Sequence, residues 1–325
     1  MELIRGIHNL KPRHRGCVLT IGNFDGVHQG HHAVLARLKE KAAELGLPAC
    51  VMLFEPQPLE LFAGSEAPAR LSRLREKCEA LQTLHIDRLL CVRFTHRFAE
   101  QAASTFIEQL LVEQLGVRYL VVGDDFRFGK GREGDFQLLE QAGRRCGFEV
   151  ISTQSFQLEQ QRVSSTLVRE ALKAGRMAEV ELMLGRPYAI SGRVAHGDKL
   201  GRTIGFPTAN LALKRQVIPV GGVFAVEVVC SGTTFPAVAN VGVRPTLSGT
   251  QARLEVHLFD FSGDLYGQQV KVLLRHKLRE EQKFASFSAL KEQIERDALA
   301  ARAWFGLPQC HLPSTVLEKK GTQDR

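Results

Sequence analysis

Two periods of apolar residues alternate along the first half of the chain. Residues 17–21 (C-V-L-T-I) form a short continuous apolar run, the pattern of a strand buried on both faces. Val34, Leu35, Leu38, Ala42 and Leu45 then recur at helical spacing. The same pattern predicts further strands over 49–54, 88–94, 119–122 and 148–152, and helices over 71–84, 104–115 and 136–146. Another helix is expected within 161–175, where Ser164, Ser165 and Thr166 offer caps and Leu167, Val168, Ala171 and Leu172 form its apolar stripe. Strands separated by helices imply right-handed crossovers and a parallel sheet, which takes ligands at the carboxyl ends of its strands.

From Arg186 the pattern changes to short strands, expected at 188–194, 222–230, 235–241, 253–261 and 269–274, with turns at Ser231-Gly232, Pro245 and Ser262-Gly263. Close spacing of this kind argues a small Greek-key sandwich or barrel. An amphipathic helix over 287–305 is expected to pack on it. The expected organisation is therefore α/β over residues 1–185 and all-β over 186–312, with a polar tail at 313–325 expected to fray.

Composition narrows the class. At 325 residues and 44% hydrophobic content the chain can bury two cores. No run reaches the length of a membrane span, and residues 1–10 lack the apolar region of a signal peptide. The seven cysteines are scattered and include no C-x-x-C, the usage of a reducing cytoplasm. A net charge of +8 would suit an anionic partner, but it is dispersed among mixed-sign runs and decides nothing alone.

Candidate chemistry begins at T-I-G-N-F-D-G-V-H-Q-G-H-H, residues 20–32. Gly22, Asn23, Phe24 and the residues after them form a turn between strand and helix, and His28 and His31 flank Gly30 at the helix start. A helix N-terminus presents unpaired N–H groups and partial positive charge to a phosphate. Gly30 leaves the backbone approachable, and two imidazoles can donate hydrogen bonds to a transferring phosphoryl group. A metal held by His28, His31 and His32 is less favoured, because no cysteine or carboxylate pair completes the set. After its strand and before its helix, the motif resembles that of the nucleotidyltransferase superfamily. Ser165, Thr166 and Arg169 sit at a second helix start suited to phosphates. G-K-G-R-E-G at 129–134 spells a dinucleotide fingerprint but follows its strand too late, so the loop with Asp125 and Phe126 reads better as substrate-facing. In the second half, G-D-K-L-G-R-T-I-G-F-P-T-A-N (197–210) brings glycines, Gly205 among them, together with Thr208 and Asn210, oxygen donors of the kind Mg²⁺ accepts. Alternation in L-E-V-H-L (254–258) puts Glu255 and His257 opposite the apolar face, and Glu255 becomes a candidate general base.

These stretches, with V-G-D-D-F-R-F-G-K-G-R-E-G-D, V-S-S-T-L-V-R, N-V-G-V-R-P-T and L-E-V-H-L-F-D-F-S-G-D-L-Y-G, follow one another in the order seen in the bacterial bifunctional riboflavin kinase/FMN adenylyltransferase (FAD synthetase) family, and the chain resembles that family over nearly its whole length. The resemblance implies a Rossmann-like nucleotidyltransferase domain and a riboflavin kinase barrel. Its substrates and products would be riboflavin, FMN, FAD, ATP, ADP and pyrophosphate, with Mg²⁺ as cofactor and a monomer favoured. It implies that Thr208 and Asn210 hold metal and nucleotide phosphates and that Glu255 takes the proton of the riboflavin hydroxyl. Asn240, Gly242 and Arg244 would lie by the kinase site. His28 and His31 would stabilise the adenylyl-transfer transition state, with Ser165, Thr166 and Arg169 on the leaving phosphates and the flavin near Asp125 and Phe126. Asp125 stands where many relatives carry Asn, and Gln57 where many carry His; Gln57 is assigned no role. An alternative is a tRNA-modifying or tRNA-charging enzyme, which would want a lysine in the second phosphate loop and a row of stacking aromatics on the barrel. S-S-T-L-V-R has no lysine and the barrel strands have no such row, so neither that reading nor a non-enzymatic RNA-binding module is favoured, and no nucleic-acid or membrane partner is expected.

Overall fold

The computed structural model describes residues 1–153, 163–195, 206–213, 217–246 and 249–308. The first half runs β1 (Glu2–Arg5), β2 (Cys17–Ile21), α1 (Gln29–Leu45), β3 (Ala49–Glu55), α2 (Pro58–Ala63), α3 (Leu74–Thr83), β4 (Arg88–Arg93), α4 (His96–Ala99) and α5 (Ala103–Thr105). After α5 the chain continues as a π-helix over Phe106–Gln114, then β5 (Val117–Val122), α6 (Phe136–Cys146), β6 (Glu149–Ser152), α7 (Ser165–Lys173) and α8 (Met177–Leu184). The strands form one parallel six-stranded sheet in the order β1-β4-β3-β2-β5-β6. Alternate residues feed two cores: Cys17, Leu19, Met52 and Leu120 face the π-helix and α6, while Val18, Val51, Leu89 and Val121 face α1 and α3. Because the chain winds outward on one side from β2 to β4 and then returns beyond β2 to β5, the order reverses between β2 and β5. A crevice opens there outside the strand ends.

Several elements depart from expectation. The helix expected from residue 71 starts at Leu74, because the N–H groups of Leu71 and Ser72 each donate to the Asp25 carboxylate at 3.0 Å. The helix expected over 104–115 takes the wider π form, closing with Leu115 N–H on the Leu110 carbonyl at 3.0 Å. Edge strand β1 and the short helices α2, α4 and α8 are additions that the periodicity did not predict.

The second half comprises β7 (Tyr188–Ala195), β8 (Ala209–Ala212), β9 (Gly222–Cys230), β10 (Thr233–Thr246), β11 (Gly249–Leu258), β12 (Gln269–Arg279) and α9 (Phe287–Trp304). All pairings are antiparallel and close a barrel in the order β10-β11-β8-β7-β12-β9. β9 and β10 join through Ser231 and Gly232, both at positive φ (49° and 83°), the geometry that suits a two-residue hairpin. β8 is an addition to the strands expected from the sequence, while β10 and β12 outrun their expected ends. Ala298 and Ala301 of α9 pack on Phe206, Val223, Ala225, Val238 and Phe259 outside the barrel.

Candidate active sites

The turn after β2 is a strained segment held from several directions. Phe24 and Val27 adopt positive φ (46° and 43°), a conformation that costs a non-glycine residue of the order of 1–3 kcal/mol and persists where its surroundings over-determine it. Buried Asp25 supplies much of that constraint. Its carboxylate accepts from the Leu71 and Ser72 N–H groups and from the Arg169 guanidinium at 2.5 Å, and its carbonyl accepts from Ser165 Oγ at 2.9 Å. The fully buried Lys77 donates to the Asn23 carbonyl at 2.8 Å, and Arg186 donates to the carbonyls of Gly26 (2.6 Å) and Val27 (3.0 Å). Burial pushes the Lys77 pKa down, against the raising influence of Asp25.

His28 caps α1, and its N–H donates to Nδ1 of His31 at 3.2 Å while the two rings stack with centroids 3.7 Å apart. Burial lowers the His28 pKa to about 4 and holds that of His31 well below its usual value, so both rings are neutral near pH 7. Nδ1 of His28 is buried with no hydrogen-bond partner among the described residues. His32 is tied to the Val27 carbonyl at 3.1 Å, and among the described residues no cluster of His, Cys, Asp and Glu could hold a metal. Gly30 carries a constraint beyond phosphate access: a Cβ there would lie 2.7 Å from the Val163 carbonyl and 3.2 Å from the His28 ring. The starts of α1 and α7 therefore meet, with Ser165 at the shared edge, Thr166 exposed, and Arg169 engaged by Asp25 and by the Ala69 carbonyl.

A cleft of 810 Å³ extends from Gly22 and Asn23 to Asp125 and Phe126 across the sheet crevice. Phe54, Phe62, Phe94, Phe98, Phe106 and Phe128 line it too, with Phe126 stacked on Phe128 at 5.5 Å. The 129–134 glycine motif forms one wall. Its ends are joined by a Phe128–Gly134 bridge, and α6 is capped separately by Asp135, so it is no dinucleotide loop. Sequence reasoning missed most of this aromatic wall. Phe54 and Phe94 sit at the carboxyl ends of β3 and β4, where the crevice rule points, but Phe62 and Phe98 belong to short helices with no periodic signal. Gln57 is buried, and its Nε2 has no hydrogen-bond partner among the described residues.

The barrel carries a second cleft, of 410 Å³, between its outer wall and α9. Asn240, Glu255 and Asn210 lie in register across β10, β11 and β8, so the three side chains project from one row of neighbouring strands. Thr208, Asn240, Glu255 and His257 line the cleft with Phe206, Phe284 and Phe287. Oδ1 of Asn240 is buried without a partner among the described residues, while its Nδ2 reaches Glu281 at 3.5 Å. The Arg253 guanidinium stands 3.9 Å from Glu255. His257 is held by the Pro207 carbonyl at 2.9 Å, and burial lowers its pKa. Gly242 belongs beneath Glu281, whose carboxylate occupies the space a Cβ would take. Gly205 and the side chain of Arg244 lie outside the described residues.

Residues 10–167 match the family model for FAD synthetase and residues 184–305 that for riboflavin kinase. The bifunctional riboflavin kinase/FMN adenylyltransferase of Escherichia coli K12 is 59% identical over 309 residues, 94% of this chain and 99% of that one. The chain belongs to this family. Other members of the riboflavin kinase/FMN adenylyltransferase family align as fully, at 53% identity over 96% of the chain for Pseudomonas fluorescens and 55% over 94% for Haemophilus influenzae. They cover 100% and 99% of those proteins. The crystal structure of a macrolide-efflux protein from Streptococcus pneumoniae superposes with a TM-score of 0.76 at 30% identity, over 94% of this chain and all of that one. Among the described residues no helix is long and apolar enough to cross a membrane. Family membership sets aside the tRNA-enzyme alternative.

Proposed function

We propose that this chain converts riboflavin to FMN in the barrel cleft and FMN to FAD in the sheet crevice, consuming one ATP at each. The observation that carries this reading is the pairing, in a member of this family, of two separate clefts, each with an apolar wall beside a cluster of polar groups. In the barrel, the 5′-hydroxyl oxygen of riboflavin attacks the γ-phosphorus of ATP, ADP leaves, and Glu255 takes the hydroxyl proton. Thr208 and Asn210 are neutral oxygen donors beside a carboxylate, and Asn240 offers a buried oxygen with no partner among the described residues, so the row fits a hard cation such as Mg²⁺. Thr208 and Asn210 would hold that ion, which neutralises phosphate charge when bound. Gly205 and Arg244 belong to the same proposed site.

In the crevice, a phosphate oxygen of FMN attacks the α-phosphorus of a second ATP and pyrophosphate leaves. His28 and His31 donate neutral N–H groups to the oxygens that gain charge, and Gly22, Asn23, Phe24 and Gly30 shape the turn under the phosphates. Ser165, Thr166 and Arg169 serve the leaving group's side. The phenylalanine wall near Asp125 and Phe126 takes the flavin rings by stacking. Incubation with riboflavin, ATP and Mg²⁺ followed by separation of flavins tests the whole reading: FMN and then FAD is the expected order, and unchanged riboflavin overturns it.

A further inference from the structure

Arg186 follows α8 and plays no part in either reaction as described. The chain reaches it through Gly185, whose φ is 70° and where a Cβ would lie 2.1 Å from the side-chain nitrogen of Gln29. That close passage sets the Arg186 guanidinium beneath the turn after β2. One nitrogen donates to the carbonyls of Val27 and Leu184, each at 3.0 Å, and the other to the Gly26 carbonyl at 2.6 Å. His32 adds a second donor to the Val27 carbonyl.

A trans peptide is planar, with its C=O and N–H pointing in opposite directions. Drawing the Val27 carbonyl toward Arg186 and His32 therefore turns the His28 N–H the other way, where it donates to Nδ1 of His31. An Nδ1 that accepts an N–H carries no proton in a neutral ring, so His31 presents Nε2–H as its donor. We propose that Arg186 is a positioning residue for adenylyl transfer: by fixing the Val27–His28 peptide it holds His31 in the Nε2–H tautomer, so that a residue of the riboflavin kinase match sets the donor of the other half. This deepens the reading that His31 stabilises the transferring phosphoryl group and rests on it. The guanidinium suits the task because its rigid fork of donors serves several carbonyls at once, which the single ammonium of lysine cannot reproduce.

The test uses the full chain with ¹⁵N-labelled histidine, and compares wild type with Arg186→Met and Arg186→Lys. The wild-type ring shifts of His31 should report the neutral Nε2–H form. Arg186→Met should mix the tautomers and lower kcat for FAD formation from FMN about 10²-fold, the scale of a small misplacement of a catalytic group. KM for FMN and ATP should change little, and riboflavin phosphorylation in the same polypeptide should hold, which also certifies folding. Arg186→Lys should fall between. A normal kcat in Arg186→Met overturns the proposal, as does an equal fall of both activities with the His31 tautomer unchanged, the behaviour of a general clamp. An Nδ1–H ring in the wild type overturns it whether or not either variant folds. Wild-type protein that makes no FAD from FMN instead removes the adenylyl-transfer reading beneath it.

Discussion

His31 and His28 are neutral because they are buried, and that neutrality decides what each ring can do. A neutral imidazole stabilises developing charge by one directed N–H, so its effect depends on position more than on ionisation. His31→Ala should therefore cut FAD formation from FMN by roughly 10²–10³, the usual cost of one preorganised donor, with riboflavin phosphorylation near wild type. Normal FAD synthesis by the folded variant would make the motif structural. Burial also couples the site to pH. His28 has a folded pKa of about 4 against an ordinary 6.5, so between these values the unfolded chain binds more protons than the folded one. The stability due to the neutral ring is complete above pH 6.5 and is lost as pH falls through about 4. Urea midpoints should decline across that window, and His28→Gln should flatten the decline; an equal slope in the variant would show that other groups govern it.

At the scale of elements, strand alternation is what makes Glu255 available. Leu254, Val256 and Leu258 point into the barrel, so Glu255 and His257 must point outward, and α9 turns that outward face into a cleft wall. The alternation was legible in the sequence, as was the strand-turn-helix setting of His28. The neighbours were not: Asn210 and Asn240 join Glu255 only through cross-strand register, which pairs residues far apart in the chain. Glu255→Gln keeps the shape but cannot take a proton. It should lower FMN formation by about 10²–10⁴, the typical worth of a general base, while FAD synthesis from supplied FMN stays intact. Assayed at saturating ATP and Mg²⁺, undiminished kinase turnover would return Glu255 to an ordinary solvated strand position.

Across the whole molecule the two halves are packed together more closely than a linker would require. Val168, Leu172, Val180 and Leu184 of α7 and α8 join the same apolar cluster as the barrel residues Tyr188, Val226 and Leu274. Arg275 pairs with Glu181, and the Ser191 N–H donates to Glu76 at 3.0 Å. Two activities on one chain should still separate, since each half owns a sheet and a cleft. A fragment ending at Gly185 should convert FMN to FAD and leave riboflavin untouched. Its rate should fall below that of the full chain, because it lacks Arg186 and uncovers Val180 and Leu184. Steady-state assays of the purified fragment decide this: phosphorylation of riboflavin by it would place the kinase in the wrong half, and an undiminished rate of FAD synthesis would show that packing against the barrel is irrelevant to the crevice.

What the sequence determined by itself was local and periodic. It included the alternation that calls for a parallel sheet, the change to short strands at Arg186, and the phosphate-type motifs at the ends of strands. Those signals survive in one dimension because hydrophobic period and turn chemistry depend on near neighbours. Tertiary structure alone decided how the turn after β2 is restrained, since Lys77, Arg169 and Arg186 reach it from distant positions and no spacing rule connects them. It also decided which phenylalanines share a cleft and which asparagines stand beside Glu255. Those groupings follow from sheet order, barrel closure and register, and these are set by the burial of whole faces.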